Sequence, residues 1–134
     1  MTDTLQPATG ARTIHVPEGL VGFPGTDYEV APVAPGLFDL RPLGADGAGF
    51  VTADAEVFFP DYHPEIDDQT AERLGLTDAA DAQVLVVVTV AEDVTRSTAN
   101  LLAPVVVNAR TLAAEQVVLT GQDFPLRAPL IPAA

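Results

Sequence analysis

The sequence contains no cysteine and no lysine, and these absences exclude whole classes of function. Without cysteine, the chain cannot form disulfides, thiolate metal sites or a cysteine nucleophile, which fits a reducing compartment. Without lysine, its basic residues are six arginines scattered singly along the chain. Nucleic acids are bound by clustered basic side chains that neutralise phosphates, so the sequence argues against a direct contact with nucleic acid.

Long apolar runs and catalytic motifs are also missing. The longest apolar run, residues 84–88, is five residues long, whereas a membrane-spanning helix needs about 20. Residues 1–11 lack the basic and apolar regions of a secretory signal, so we expect a cytoplasmic protein without membrane contact. The single serine, Ser97, lies outside any nucleophile motif, and no phosphate-binding loop occurs. His15, between apolar Ile14 and Val16, is expected on the surface, so we predict neither an enzyme nor a bound cofactor.

What the chain does contain is an acidic, hydrophobic sequence of single-domain size. Of its 134 residues, 48% are hydrophobic, which is enough for one core without a disulfide or metal. We predict one domain over residues 12–130, between a flexible N-terminal tail of residues 1–11 and a C-terminal tail of residues 131–134. The 19 acidic residues give a net charge of -13, which favours a basic protein as partner.

Short segments rich in β-branched and aromatic residues predict a mainly β fold with one short helix. Residues 84–90 are apolar on both alternating faces, which predicts a central strand covered on both sides. The helix is expected at residues 67–74, where Gly75 can take a left-handed conformation at the end. We expect strands at residues 12–16, 28–33, 37–42, 49–52, 57–59, 83–91, 104–108 and 116–120.

An acidic segment offers one possible chemical site. Asp61, His63, Glu65 and Asp67 recur at every second residue, so an extended backbone would place them on one face. Carboxylates and one imidazole can bind a divalent cation, which leaves open a small metal-dependent hydrolase using Asp61, His63 and Glu65. Such runs are more often solvated acidic faces, and an acidic scaffold module that binds some other basic protein is a further alternative.

Two other stretches combine features of a core with features of a binding site. Phe58-Phe-Pro-Asp-Tyr62 places three aromatic rings within five residues. Buried rings would close the core, whereas exposed rings would anchor a partner, and we expect Tyr62 to be partly exposed because its hydroxyl needs a hydrogen-bond partner. Residues 100–104 place a proline at the start of a buried strand, and the entry into the core explains most features of that stretch.

With these stretches, the sequence resembles the flagellar assembly factor FliW family. The resemblance rests on an ordered series of motifs rather than on any single one, and it covers about residues 12–130. The motifs are VPEGLVGF at 16–23, FFPDY at 58–62, LGL at 74–76, VLVVVTV at 84–90, TANLLAP at 98–104, VN at 107–108 and FPLRAPL at 124–130.

The resemblance implies a small, barrel-like antiparallel β protein of the bacterial cytoplasm that acts as a monomer and is not an enzyme. It implies two protein partners, newly made flagellin and the RNA-binding translational regulator CsrA. While flagellin is scarce, such a protein sequesters CsrA, so that flagellin synthesis proceeds. When flagellin accumulates, it occupies this protein and leaves CsrA free to repress flagellin mRNA, until export of flagellin reverses the exchange.

Flagellin segments that are unstructured before assembly are amphipathic, so we expect them to be held by apolar contacts. The aromatic cluster and the stretch at residues 100–104 are the candidates because both belong to the motif series. The candidate partner-binding residues are Phe59, Asp61, Tyr62, Asn100, Leu101 and Pro104.

Overall fold

Short strands make up most of the regular secondary structure, as the runs of β-branched residues predict. The computed structural model describes residues 12–20, 25–43, 49–119 and 121–130, and the predicted tails, 1–11 and 131–134, lie outside them. No helix among the described residues is long and apolar enough to cross a membrane. The strands are β1 (Arg12–His15), β2 (Asp27–Ala34), β3 (Leu37–Pro42), β4 (Phe50–Asp54), β5 (Ala82–Thr89), β6 (Thr98–Ala99), β7 (Val105–Asn108), β8 (Ala114–Gln116) and β9 (Ala128–Pro129), and the helices are α1 (Ala55–Phe58) and α2 (Asp68–Arg73).

Strand β5 occupies the centre of the sheet. One of its edges pairs antiparallel with β4, and its other edge pairs first with β7 and then with β6. Strands β1 to β5 are antiparallel neighbours in chain order, while β8 pairs with β7 and β9 pairs with β6. A parallel bridge between His15 and Ala113 brings β8 beside β1, so the sheet nearly closes into a barrel. The mainly β, barrel-like antiparallel fold is therefore confirmed.

The two faces of β5 are buried in different cores. Leu85 faces the barrel interior, whereas Val86 and Val88 face a second cluster outside the barrel. The prediction of a central strand covered on both sides is confirmed. The inner core consists of Ile14, Val16, Leu20, Tyr28, Val30, Leu40, Leu85, Val105, Val107 and Ala114. The outer core consists of Ala53, Ala55, Val86, Val88, Ala99, Leu101, Ala128 and Leu130.

Helix α1 replaces the strand that the sequence predicts at residues 57–59, and that prediction is wrong. The Asp54 Oδ1 atom accepts a hydrogen bond from the Glu56 backbone N–H at 2.9 Å, which caps the start of α1. Pro60 comes shortly after the helix, and its ring leaves no N–H for pairing in a sheet. The described residues therefore form two short α-helices where the sequence predicts one.

The turn between β2 and β3 accommodates α1 through Gly36. This glycine has a φ of +77°, and a Cβ atom there would lie 2.9 Å from Val57 Cγ1. The Gly36 carbonyl oxygen also accepts a hydrogen bond from the Asp54 N–H at 2.8 Å. Any side chain at this position would clash with α1 and strain the turn, so the glycine fits the helix to the hairpin.

Most other strands agree with their predicted positions to within two residues at each end. The exception is the strand expected at 116–120, because the sheet pairing of β8 ends at Gln116. The Val117 and Leu119 N–H groups donate instead to the Pro104 and Leu102 carbonyls, at 2.9 and 2.8 Å, and Thr120 lies outside the described residues. Strands β6 and β9 were not predicted, because two residues are too few for an alternating pattern.

Helix α2 confirms the predicted helix and its end signals. Asp67 Oδ1 accepts a hydrogen bond from the Thr70 N–H at 2.7 Å, which caps the first turn. Gly75 has a φ of +68°, and the Leu76 N–H donates to the Ala71 carbonyl at 2.9 Å. These features form the left-handed glycine cap expected where a helix stops.

Asn108 connects α2 to the β7–β8 turn. Its side chain is fully buried, and Nδ2 donates to the Leu74 carbonyl at 2.8 Å. Its Oδ1 atom accepts hydrogen bonds from the Arg110 and Thr111 N–H groups, at 2.9 and 3.2 Å. Because a buried amide is costly without partners, these bonds tie the helix to the sheet.

Truncating the apolar side chains on and beside β5 should destabilise the protein. Val86 and Val106 have no exposed surface, so replacing either with alanine should lower the free energy of unfolding by about 1 to 3 kcal/mol. Val33→Ala is the matched control, because this valine is 58% exposed. Urea unfolding followed by circular dichroism measures the effect, and equal midpoints for all three variants would contradict the assignment of the cores.

Candidate protein-binding site

The acidic segment, here called the strap, comprises residues 60–67 between α1 and α2 and belongs to no helix or strand. Its side chains alternate, with Asp61, His63, Glu65 and Asp67 exposed and Tyr62, Pro64 and Ile66 half-buried. The alternation at His63, Glu65 and Asp67 is that of an extended backbone. Asp61 lies instead in a turn, which the Tyr62 N–H closes by donating to the Phe59 carbonyl at 2.9 Å.

Two distant side-chain contacts hold the strap against the fold. The Tyr62 hydroxyl donates to the Leu101 carbonyl at 2.6 Å, which supplies the hydrogen-bond partner that the sequence analysis requires. The side-chain amide of Gln122 bonds both backbone polar groups of Glu65, as a neighbouring strand would. Its Oε1 atom accepts from the Glu65 N–H at 2.9 Å, and Nε2 donates to the Glu65 carbonyl at 3.0 Å. The strap is therefore fixed by side chains rather than by a neighbouring strand.

The arrangement gives no support to the metal-dependent alternative. Asp67 uses a carboxylate oxygen to cap α2. Across the described part of the chain, no group of three or more His, Cys, Asp or Glu side chains is placed to hold a metal ion. Asp61, His63 and Glu65 are therefore exposed side chains that do not converge on one cation.

Ser97 and His15 have structural surroundings. Ser97 is 2% exposed, and its Oγ atom accepts a hydrogen bond from the Ala91 N–H at 3.1 Å. His15 is on the surface, as predicted, where its Nδ1 atom lies 2.9 Å from Asp27 Oδ1. The described side-chain contacts of Ser97 and His15 are with other residues, whereas a nucleophile and its base would contact each other.

An aromatic groove of about 350 Å³ lies beside the strap. The half-buried rings of Phe58, Phe59 and Tyr62 pack against the outer core. The Tyr62 ring also meets Phe124 edge to face, with centroids 4.8 Å apart. Neither a fully buried nor a fully exposed cluster results, because these rings close the outer core while leaving part of each face accessible. The groove is lined by Phe58, Phe59, Pro60, Asp61, Tyr62, Leu101 and Phe124.

Residues 100–104 form a loop, here called the clamp loop, whose backbone is bonded on all sides. Asn100 Oδ1 accepts hydrogen bonds from the Leu102 and Ala103 N–H groups, at 2.9 and 3.1 Å. The Leu101, Leu102, Ala103 and Pro104 carbonyls accept from the Tyr62 hydroxyl, the Leu119 N–H, Gln116 Nε2 and the Val117 N–H, respectively. The loop is thus a rigid wall rather than a flexible connection.

The structure brings together only some of the candidate partner-binding residues. Phe59, Asp61, Tyr62 and Leu101 line the aromatic groove. Asn100 instead stabilises the clamp loop, and Pro104 is buried at the entry to β7. These two residues therefore support the loop beside the aromatic groove. This agrees with the sequence analysis, which explains most features of residues 100–104 by the entry of the chain into the core.

Sequence reasoning missed two residues of the site, Phe124 and Gln122. A signal for Phe124 exists, because Phe124-Pro125 repeats the Phe59-Pro60 pair of the opposite wall. No local pattern reveals Gln122, since its contact with Glu65 joins segments 57 positions apart.

Ion pairs leave the strap largely uncompensated. The described pairs join His15 to Asp27, Arg41 to Asp39, Arg73 to Glu115 and Arg110 to Asp81. Within the described ranges, none of these pairs uses Asp61, Glu65 or Asp68. A cavity of about 570 Å³ on the other side of Tyr62 adds the carboxylates of Asp54 and Glu56. Tyr62 lines both this cavity and the aromatic groove, and the carboxylates of the strap and the cavity are together called the acidic surface.

The chain is similar to known proteins over almost its whole length. The family model described as FliW protein matches residues 4–130. The flagellar assembly factor FliW of Bacillus licheniformis is 34% identical over 122 residues, which cover 89% of this chain and 85% of that protein. The factor of the same name from Bacillus subtilis is 34% identical over 91 residues, covering 68% of this chain and 64% of that one.

The fold is similar as well. A crystal structure of the flagellar assembly factor FliW superposes with a TM-score of 0.84 at 29% sequence identity. The superposition covers 90% of this chain and 86% of that chain. The sequence comparisons and the structural comparison therefore point to the same group of proteins.

The Tyr62 hydroxyl should make stability sensitive to alkaline pH. Burial raises the pKa of the Tyr62 phenol above its usual value. The unfolded chain loses this proton near pH 10 while the folded protein keeps it, so the free energy of unfolding should fall as pH rises above about 10. Tyr62→Phe should lessen that fall and cost about 1 kcal/mol at neutral pH, because the Leu101 carbonyl loses its donor.

Urea unfolding of both proteins from about pH 8 to about pH 11 tests this prediction. Some alkaline dependence should persist in Tyr62→Phe, because burial also raises the pKa of Tyr28. Identical pH profiles for the two proteins would show that the Tyr62 hydroxyl is solvated in the folded state.

Proposed function

The chain belongs to the FliW family of flagellar assembly factors, and from this membership we propose that it is a non-enzymatic regulator that binds flagellin and a CsrA-type RNA-binding protein in the bacterial cytoplasm. Bound to the regulator, it permits flagellin synthesis. Accumulated flagellin displaces the regulator, which then represses flagellin mRNA. Export of flagellin restores the first state.

The aromatic groove supports the contact with flagellin. An amphipathic segment needs an apolar groove for its anchors, and aromatic side chains are the commonest strong anchors at such interfaces. Phe59 and Tyr62 present partly exposed rings there, on a floor formed by the outer core. The groove is lined by a single ionisable acid, Asp61, so its contacts are mainly apolar.

The acidic strap supports the contact with the RNA-binding regulator. A surface that grips RNA is basic, and the exposed carboxylates of Asp61 and Glu65 complement it. The net charge of -13 also repels RNA from a regulator already bound.

One observation carries the proposed exchange of partners: the two surfaces meet at Asp61 and Tyr62. Asp61 belongs to the strap and also lines the aromatic groove. The Tyr62 ring forms a wall of the groove while its backbone is part of the strap. A partner on one surface therefore crowds the other, so we expect flagellin and the regulator to exclude each other by overlap.

Removing an anchor from the aromatic groove should weaken flagellin binding. Phe59→Ala and Tyr62→Ala should each lower the affinity for monomeric flagellin by about thirtyfold, as for an anchor worth about 2 kcal/mol. Isothermal calorimetry with flagellin held below its polymerisation threshold measures the affinity. Val57→Ala is the matched control, because this neighbouring valine on α1 is 59% exposed and does not line the groove.

Thermal melts of the same variants separate contact from folding. Lost affinity with an unchanged melt supports a direct contact. If Tyr62→Ala loses stability but keeps full affinity in the folded fraction, Tyr62 serves only the core and is not an anchor. Full affinity in Phe59→Ala would contradict the aromatic groove as the flagellin site.

Association with the regulator should depend on salt. Attraction between the acidic surface and a basic protein acts within about 8 Å at physiological ionic strength, so stopped-flow association rates should fall as salt rises. Glu65→Gln should reduce both the rate at low salt and its salt dependence. Glu92→Gln, in the exposed turn after β5, is the matched control and should change neither more than twofold, as is usual for a distant surface charge, about 0.4 kcal/mol or less. A rate that stays constant across the salt series would contradict a role for the acidic surface.

A further inference from the structure

A second apolar groove, here called the mouth groove, opens at one end of the barrel. It has a volume of about 320 Å³, and none of the described residues that line it carries an ionisable side chain. That composition stands out in a chain with 19 acidic residues. The groove is lined by Leu20, Phe50, Val87, Asn100, Leu102, Ala103, Val105, Gln116, Val118 and Leu126.

The floor and the rim of the mouth groove differ in exposure. Leu20 and Val105 belong to the inner core, so the floor is the end of the barrel interior. Val118 and Leu126 on the rim are 57% and 60% exposed. Large apolar side chains that remain exposed beside an apolar floor are typical of a surface that a partner covers.

The polar groups at the groove face the protein rather than a ligand. Asn100 Oδ1 accepts hydrogen bonds from two N–H groups of the clamp loop. Gln116 Nε2 donates to the Ala103 carbonyl at 3.2 Å. A polar or charged ligand would therefore gain little here, whereas an aliphatic side chain would bury apolar area on both sides.

The mouth groove and the aromatic groove lie on the two sides of one ridge. Leu101 lines the aromatic groove, and its neighbour Leu102 lines the mouth groove. Phe124 and Leu126 divide in the same way, and the Leu101 N–H donates to the Pro125 carbonyl at 3.0 Å. The clamp loop and residues 124–126 thus form a common, hydrogen-bonded wall between the grooves.

We propose that the mouth groove is a second anchor site for the same amphipathic flagellin segment that occupies the aromatic groove. This inference rests on the proposed function. A helix placed across the ridge presents apolar side chains three, four and seven positions apart, so one segment can fill both grooves. The continuity of the two grooves across a bonded ridge favours one occupant over two, and the absence of charge in the mouth groove favours an apolar face over the basic regulator.

Charge substitutions on the rim test the proposal with a closely matched control. Val118→Asp and Leu126→Asp place a carboxylate at the mouth groove, where a bound apolar side chain would have to desolvate it. Each should lower flagellin affinity at least about tenfold. Val33→Asp adds the same charge at a valine of nearly equal exposure, 58%, outside both grooves, and should leave the affinity within about twofold. Thermal melts of all three should match that of the parent protein.

Combining variants distinguishes failure of this inference from failure of the proposed function. If one segment bridges the grooves, Phe59→Ala with Val118→Asp should lose affinity by about the product of the single losses. Full flagellin affinity in Val118→Asp and Leu126→Asp, with affinity lost in Phe59→Ala, would overturn the second anchor and leave the proposed function standing. A parent protein that does not bind flagellin would overturn both.

Sedimentation of the protein alone supplies a further decisive outcome. The parent protein and Val118→Asp should both sediment as monomers at the concentrations used for binding. Self-association of the parent that Val118→Asp abolishes would overturn the proposal, because a second copy of the chain would then be the occupant of the mouth groove.

Discussion

The burial of both faces of β5 is the constraint on which the rest of the structure depends. Leu85 completes the barrel interior, while Val86 and Val88 present an apolar surface outside it. That outer surface must be covered, and α1, the strap, the clamp loop and residues 124–130 cover it. The aromatic groove exists because the large rings that cover the outer core leave space between one another. The aromatic groove is therefore a consequence of closing a second core, and mutations that weaken the outer core should also deform the groove.

The clamp loop links the two cores to the site. Asn100 holds its turn, and its carbonyls meet the strap on one side and residues 117–119 on the other. A hydrogen-bonded ridge of this kind holds the neighbouring side chains in place, which lowers the entropic cost of any contact made there. The strap is held differently. Within the described residues, the Tyr62 hydroxyl bonds the Leu101 carbonyl, and the Gln122 side chain bonds the Glu65 backbone. The site thus combines one firmly bonded wall with one wall held at two points.

Much of this architecture could be predicted from local patterns. The double-faced apolar run of β5, the caps of α2 and the alternation along the strap follow from side-chain periodicity and from the chemistry of Asp67 and Gly75. Helix α1 could not be predicted, because its β-branched and aromatic residues are typical of a strand. The contacts that favour the helix, with Gly36 and the outer core, come from distant parts of the chain. The mouth groove was equally inaccessible, since Leu20, Phe50 and Val118 meet only when the barrel closes. Asn100 is a candidate because it belongs to the motif series, and no local pattern reveals that its side chain bonds to its own loop.

The seam of the barrel has a kinetic consequence. Strands β1 to β4 pair with their neighbours across short connections, so they can form from local hairpins. Strand β5 joins β4 only after residues 55–81. The seam, where His15 bridges to Ala113, joins segments separated by most of the domain. Bringing such distant segments together carries a large loop-closure entropy, so the seam should be the last contact made and the first one lost. On the ribosome, the first five strands would emerge as an open sheet with an exposed inner face. The chain would then need protection from aggregation until residues 105–116 arrive to close it.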